Sequence, residues 1–296
     1  MLIPHQPSRM KSGLASNTAQ LTARIRAVDA ALEPGRRLLA DQYARLFIPG
    51  MQLPDSTAEA DRWLIDNAWQ EGPFFAIVLL RQRCFEDMLE RAVAAGVRQA
   101  VLLGAGYDST ALRLTGHADL RWFEVDHPST QADKIALLSQ AGIDTPQVGY
   151  VPVDFEAGAS LGAALAEAGF DASQPCVVGW LGVTLFLRPE AFRHTLAELS
   201  GLCASGSTLV FDYMDQSVID GTTPYAAALS KAQEVGARGE PYLTGLTPQT
   251  ADEAVRQADF WPAEKLRIPD LLRKYGGPDP YCSADDFMGV VVAERD

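Results

Sequence analysis

The strongest constraint on the fold is the regular alternation of short apolar segments with helical patterns between residues 100 and 214. The apolar segments predict five strands, each bounded by turn residues and separated from the next by a helical pattern. Repeated strand–helix–strand units build a parallel sheet whose crossovers are right-handed. We therefore predict an α/β fold with strands at Ala100–Leu103, Leu120–Val125, Tyr150–Val153, Cys176–Leu181 and Thr208–Met214.

The segments on either side of this core have a different pattern. Residues 1–98 are mostly helical, with one long helix predicted between Pro73 and Gly96. We expect this segment to pack on a core of residues 99–296, giving a single structural domain overall. Residues 215–246 contain several Gly and Pro residues and no strand pattern, which predicts a helical cap insertion. Strands at Lys265–Ile268 and Met288–Ala293 are expected to form an antiparallel end to the sheet.

Charge and composition exclude several classes of function. Acidic residues number 38 and basic residues 25, a net charge of −13 that disfavours a nucleic-acid partner. The start of the chain does not resemble a signal peptide, and the longest apolar run, 177–187, is too short for a membrane span. We expect a cytoplasmic protein. No CxxC pair indicates a zinc site or disulfide framework among Cys84, Cys176, Cys203 and Cys282.

A glycine-rich turn follows the first predicted strand directly. Gly104-Ala105-Gly106 lies between that strand and the next helix, where missing side chains let the backbone approach a ligand. A dinucleotide fingerprint would place a third glycine near position 109, which is Ser109 here. A nicotinamide-dependent oxidoreductase is therefore a disfavoured alternative.

Acidic residues follow the next two predicted strands. Glu124 and Asp126 end the second strand, and Asp126 is our preferred ligand for a ribose. Asp154 and Phe155 follow the third strand, where the ring offers a surface for adenine. Each feature alone also fits a helix cap or core packing. Their joint order favours a ligand site, because open α/β sheets bind ligands at the carboxyl ends of their strands.

The remaining polar residues indicate no metal site and no catalytic dyad. Arg81, in the long helix, is a candidate for a bidentate bond to a ligand carboxylate. Asp108 is expected to hold the glycine turn or to cap the helix after it. No metal-binding spacing relates the four histidines, His5, His117, His127 and His194.

Three of these motifs, in this order, resemble the leucine carboxyl methyltransferase family and its bacterial O-methyltransferase relatives. They are Val-Leu-Leu-Gly-Ala-Gly-Tyr-Asp-Ser at 101–109, Trp-Phe-Glu-Val-Asp-His-Pro at 122–128 and Val-Pro-Val-Asp-Phe at 151–155. The resemblance extends to residues 41–44 and 210–213. It implies a class I methyltransferase fold, a Rossmann-like and mostly parallel sheet with an antiparallel last strand, and S-adenosylmethionine as cofactor.

The resemblance also implies roles for individual residues. Arg81 would bind the methionine carboxylate, Gly104 and Gly106 would line the methionine portion, Asp126 would hold the ribose, and Asp154 with Phe155 would contact adenine. Ala105 and Leu181 complete the predicted cofactor site.

The chain departs from the family pattern at a few positions. Family members often have a Glu shortly before an apolar Tyr-Leu pair, where this chain has Trp180-Leu181-Gly182-Val183. Tyr107 and Thr110 replace the commoner Leu and Arg. These departures concern the substrate more than the cofactor.

The missing dyad favours one kind of acceptor. A carboxylate is ionised at neutral pH and needs no general base, whereas a phenol with a pKa near ~10 does. We therefore expect O-methylation of a carboxylate on a small molecule or peptide end. Alternatives are a phenol or alcohol O-methyltransferase of secondary metabolism, with His127 as a candidate base, and a non-catalytic cofactor-binding protein. Tyr107 and Trp180 are candidates for cation–π contact with the sulfonium.

Overall fold

The protein forms a mixed sheet covered by helices on both faces. The computed structural model describes residues 17–114, 116–117, 119–277 and 285–296. The strand order is β3-β2-β1-β4-β5-β8-β7, and a two-residue β6 pairs with β5. The strands are β1 Gln99–Leu103, β2 Arg121–Asp126, β3 Val148–Pro152, β4 Val177–Trp180, β5 Thr208–Asp215, β6 Gly245–Leu246, β7 Trp261–Arg267 and β8 Met288–Glu294.

The sheet confirms the predicted class I arrangement. Strands β1 to β5 pair in parallel, and β8 lies antiparallel between β5 and β7. Every residue of β1 and β4 is buried, which explains why these strands are continuous apolar runs. The strand predicted at Lys265–Ile268 is longer than expected and begins at Trp261. Strand β6 was not predicted, because two residues are too few to show a period.

Ten α-helices are found in the described part of the chain. Their bounds are α1 Asn17–Ala31, α2 Thr57–Ala94, α3 Thr110–Arg113, α4 Pro128–Gln140, α5 Leu161–Glu167, α6 Pro189–Leu202, α7 Gln216–Ile219, α8 Ala226–Ala237, α9 Pro248–Gln257 and α10 Ile268–Tyr275. None of them is both long enough and apolar enough to cross a bilayer.

Two helix boundaries correct the sequence prediction. Helix α2 begins at Thr57 instead of near Pro73, because the Ser56 hydroxyl accepts the Glu59 N–H and caps the helix there. Helix α10 was not predicted at all. Its start is fixed by Asp270, whose side chain accepts the backbone N–H of Arg267. Both helix starts depend on a cap contact made by a single residue, which the spacing of apolar residues in the sequence does not reveal.

Alternate residues of the central strands face opposite helix layers. Leu102 packs with α2, including Phe85, on one face of the sheet. Val101 and Leu103 pack on the other face in the same cluster as residues of α5, α6 and α9. Helix α1 lies on α2 through a separate apolar cluster that includes Ile25. The carboxyl ends of β1 to β4 are thereby held at one edge of a rigid core.

The pairing of β8 with β5 requires a residue without a side chain at position 289, which is a glycine. This residue pairs with Tyr213 across β5 and β8, and a Cβ at 289 would lie 2.5 Å from Tyr213 Cζ. We expect Gly289→Ala to lower the free energy of unfolding by about 1–3 kcal/mol, because the ring has to be displaced. Chemical denaturation measures this change.

Two further variants isolate the steric cause. In a Tyr213→Ala background the cost of Gly289→Ala should largely disappear, since the ring that the new Cβ would meet is absent. The double-mutant cycle measures this difference. Gly201 in α6 has open space where a Cβ would stand, so Gly201→Ala should be neutral or stabilising by roughly 0.5 kcal/mol. An equal cost of Gly289→Ala with and without the Tyr213 ring would contradict this explanation.

Candidate functional site

A large cavity lies at the carboxyl ends of β1 to β4. Its volume is about 1280 Å³. The structure brings all eight predicted cofactor-site residues to its wall, although they come from five separate segments of the chain. These residues are Arg81, Gly104, Ala105, Gly106, Asp126, Asp154, Phe155 and Leu181.

The glycine turn after β1 is shaped by close contacts. Gly104 and Gly106 have φ angles of +65° and +49°, a conformation that favours glycine. A Cβ on Gly104 would lie 2.3 Å from a methyl carbon of Val183. The N–H groups of Gly104 and Ala105 both donate to the Val125 carbonyl, at 2.7 and 3.1 Å. The turn is thereby fastened to the end of β2.

Asp126 holds this turn from the β2 side. Its carboxylate accepts the Gly106 N–H and, at 2.6 Å, the His127 N–H. Burial raises the pKa of Asp126, although these two hydrogen bonds oppose the rise. A carboxylate in this place is an acceptor for hydroxyl groups of a ligand in the cavity.

Glu124, the other acid of β2, has a different environment. It is buried away from the cavity and pairs with Lys134 at 2.6 Å. Lys134 also donates to the Asp108 carbonyl at 2.6 Å. The pair therefore supports the turn from behind, while the Asp108 carboxylate accepts the Thr110 N–H at the start of α3, as expected.

Asp154 and Phe155 lie beside each other at the end of β3. Asp154 accepts the Glu156 N–H at 2.9 Å, and its second oxygen lies 4.0 Å from His127 Nε2. Phe155 is half-buried and packs on the apolar cluster beneath it. The end of β3 therefore presents an acceptor and an apolar surface side by side.

Arg81 extends from α2 to the cavity wall. It is held there by an acid that was not predicted from the sequence. Its Nη1 donates to Asp212 of β5 at 2.7 Å, and Asp212 also accepts the Gly182 N–H at 2.6 Å. A Cβ on Gly182 would lie 2.4 Å from Arg81 Nη2. The sequence feature that indicates such a pair is Asp212 itself, an acid inside an apolar strand, because a buried charge requires a partner.

A buried polar network under the turn was also missed. Asp41 accepts Arg26 Nε at 2.9 Å and the Ser109 hydroxyl at 2.6 Å. Arg26 also donates to the Tyr107 carbonyl at 2.5 Å. Burial opposes ionisation of Asp41, but Arg26, Arg113 and Ser109 together lower its pKa. The family resemblance includes residues 41–44, but it does not indicate which residues they contact.

The end of the cavity near β4 has a different composition. Residues that follow β4 meet the segment after α8, where the Leu243 N–H donates to the Leu185 carbonyl at 2.7 Å and the Thr244 hydroxyl to the Leu187 carbonyl at 2.6 Å. Glu240 accepts the Thr18 N–H at 3.1 Å and its hydroxyl at 2.5 Å. The apolar lining residues here are Leu181, Val183, Phe186, Leu187, Pro241 and Leu243.

The two aromatic candidates for sulfonium contact are explained by packing. Trp180 is fully buried and stacks on Phe192 with 5.4 Å between ring centroids, outside the cavity wall. The Tyr107 ring stacks on Phe47 and its hydroxyl donates to Asp133.

His127 caps α4, with Nδ1 2.8 Å from the Ser129 hydroxyl. In the described ranges, no group of three or more His, Cys, Asp or Glu side chains is arranged to hold a metal ion.

The chain is similar in sequence to known proteins. Residues 19–200 match the family model for leucine carboxyl methyltransferase. A Mycolicibacterium vanbaalenii protein named as an S-adenosyl-L-methionine-dependent methyltransferase is 31% identical over 254 residues, covering 81% of this chain and 80% of the relative. A Frankia alni protein with the same type of name is 32% identical over 274 residues, covering 88% and 87%.

Two solved structures share the fold. A Thermobifida fusca protein assigned as a methyltransferase superposes with a TM-score of 0.58 at 16% identity, covering 92% of this chain and 94% of that one. A DUF574 family protein from Streptomyces avermitilis gives a TM-score of 0.57 at 16% identity, covering 91% and 100%.

The network around Asp41 predicts a large stability effect. Asp41→Asn leaves the buried Arg26 charge without its anion, so we expect a loss of about 3 kcal/mol in the free energy of unfolding at pH 7. Because the folded pKa of Asp41 is lowered, its stabilisation is complete above the usual pKa of about 3.9 and disappears as the pH falls through the folded pKa. The gap between wild type and variant should therefore narrow below about pH 4.

Urea denaturation over a pH series measures this gap. The matched control is Asp55→Asn, since Asp55 is 76% exposed in its pair with Arg45 and should cost less than about 1 kcal/mol. A cost for Asp41→Asn no larger than for Asp55→Asn would show that the network does not support the turn.

Proposed function

Because the chain belongs to the leucine carboxyl methyltransferase family and is an S-adenosylmethionine-dependent methyltransferase, we propose that it methylates a carboxylate oxygen of its acceptor. The acceptor is a small molecule or a peptide end. In this proposal residues 215–246 form a cap that shapes the acceptor pocket. Residues 1–98 form a helical segment packed on the methyltransferase core of residues 99–296.

The proposed cofactor placement follows the chemistry of the wall. Arg81 holds the methionine carboxylate, because its position is fixed by Asp212 while the guanidinium keeps further donors. Gly104, Ala105 and Gly106 give the close backbone approach that the methionine portion needs. Glycine at position 104 also lets Val183 lie directly against the turn, since a Cβ there would overlap a Val183 methyl carbon.

The other half of the cofactor lies along β2, β3 and β4. Asp126 accepts the ribose hydroxyls, and Asp154 accepts the adenine amine while Phe155 contacts the ring. Leu181 closes the site at the end of β4. Five separate segments converge on one cavity, which supports treating these residues as a single site.

Positioning is the main catalytic task of the protein in this proposal. The bound cofactor supplies a methyl group that is already activated on a sulfonium. Val183 and Leu181 line the space beside the turn and exclude water from it. Arg81 and the turn fix the donor, so that the residues after β4 and α8 can align an acceptor oxygen with it.

The observation that carries the carboxylate assignment is the lining of the acceptor end. Among the described lining residues from α1, the segment after β4 and the segment after α8, the acidic residue is Glu240, and both its hydrogen bonds from Thr18 bind it to the start of α1. His127 lies at the β2 end and caps α4. A carboxylate needs no base, so it suits this lining better than a phenol.

Calorimetric titration tests the cofactor site. We expect S-adenosylmethionine and S-adenosylhomocysteine to bind and NAD not to bind. Asp126→Ala should weaken binding of the first two by about 10- to 100-fold, because a charged hydrogen-bond acceptor is lost. Asp66→Ala, which removes an exposed acid of α2, is the control and should bind like wild type. Unchanged affinity in Asp126→Ala would refute its assignment.

The pH dependence of turnover tests the acceptor group. With 3-phenylpropanoate, kcat/KM should stay flat between about pH 6 and pH 9, because the acid is ionised throughout this range. With the similarly shaped 4-ethylphenol, any rate should rise about tenfold per pH unit below its pKa of about 10. Transfer of radiolabelled methyl measures both rates. Turnover of the phenol alone would replace the carboxylate proposal with phenol methylation.

A further inference from the structure

The cavity has room for more than the cofactor. Its volume of about 1280 Å³ exceeds the roughly 300–1000 Å³ typical of a pocket for one drug-sized ligand. The proposed cofactor residues occupy the ends of β1, β2 and β3 and reach Leu181. The remaining wall is built from the segment after β4, the segment after α8 and the start of α1.

This remaining wall is predominantly apolar. Val183 lies against Gly104, so the apolar surface begins directly beside the cofactor turn. Phe186 packs on Tyr242 with 5.4 Å between ring centroids, which holds the two segments together. Leu243 completes the surface at the mouth of the cavity, where 40% of it remains exposed. Its backbone hydrogen bond to Leu185 fixes it in that exposed place.

The three arginines on the described part of the wall each have an acid as partner. Arg26 pairs with Asp41 at 2.9 Å and Arg81 pairs with Asp212 at 2.7 Å. Arg188 lies 3.4 Å from Glu156, which also accepts its backbone N–H. Arg81 is assigned to the cofactor, Arg26 also donates to the Tyr107 carbonyl behind the turn, and Arg188 is half-exposed and shared with Glu156. A second anionic group on an acceptor would therefore meet mostly apolar side chains and the Glu240 carboxylate. Burial of such a group without a partner is strongly unfavourable.

We propose that the acceptor is an apolar monocarboxylic acid, with an alkyl or aryl body and a single charged group. This inference rests on the proposed carboxylate methylation. One carboxylate oxygen forms a bond to the methyl carbon, the carbon–sulfur bond breaks, and its electron pair stays on sulfur. The products are a neutral ester and a neutral thioether, and no proton moves. The cofactor's positive charge therefore balances the acceptor carboxylate, and the wall needs no cation of its own.

A comparison of two acids with the same number of carbon atoms tests the inference. Octanoate and octanedioate differ only in a second carboxylate at the far end. We expect kcat/KM for octanoate to exceed that for octanedioate by at least about 100-fold, because each arginine on the described wall is already shared with an acid. The measurement is transfer of radiolabelled methyl to each acid by the full chain.

Leu243→Lys supplies the missing partner at a half-exposed position. It should raise the octanedioate-to-octanoate ratio of kcat/KM by about 10-fold. The matched control is Ile65→Lys, since Ile65 is 60% exposed on α2 away from the cavity and the new charge there should leave the ratio unchanged. Calorimetry with S-adenosylmethionine verifies that both variants are folded and bind the cofactor.

The outcomes separate this inference from the proposed function. Equal turnover of both acids, with a ratio that Leu243→Lys does not change, would overturn the apolar acceptor while carboxylate methylation stands. If neither acid is methylated, the carboxylate proposal loses its support. Calorimetric binding of each acid to the cofactor-loaded protein then decides the inference. Octanoate binding about 100-fold tighter than octanedioate would support it, and equal or undetectable binding of both would overturn it.

Discussion

Buried charge pairs fix the edge of the sheet on which the site is built. Glu124 with Lys134, Asp41 with Arg26, and Asp212 with Arg81 each join segments that are distant in sequence or belong to different layers. Charges removed from water are tolerated only in a geometry that satisfies both partners. These pairs therefore permit few alternative positions for the glycine turn, for α1 or for the residues after β4.

The same pairs determine what the cavity presents to a ligand. Because Asp41 and Asp212 neutralise the arginines from behind, the guanidinium groups can act as directional donors without leaving a large uncompensated positive field. The end of the cavity near β4 is lined mainly by apolar side chains. Its chemistry is set by Val183, Phe186 and Leu243, which are held by backbone hydrogen bonds and ring packing instead of by charge.

Sequence reasoning recovered the parts of the molecule that depend on local pattern and missed those that depend on long-range pairing. Apolar runs located β1 to β5, and the order of strand and turn located Asp126. The cofactor roles stay predictions, although the structure brings these residues to one cavity. Nothing in the local sequence joins Arg81 to Asp212, 131 positions away. The start of α2 was likewise decided by the Ser56 cap and not by the apolar period.

The division between the two halves of the cavity has a physical reason. The proposed cofactor half is formed largely by short turns directly after β1, β2 and β3, so one stretch of about 50 residues, 104–155, contains most of its wall. The proposed acceptor half combines α1 with residues after β4 and after α8. Leu181 lies at the boundary between the two halves. Its apolar side chain extends the Val183 and Phe186 surface towards the proposed cofactor half, which is the side of the cavity that an uncharged ester would occupy once a carboxylate had been methylated.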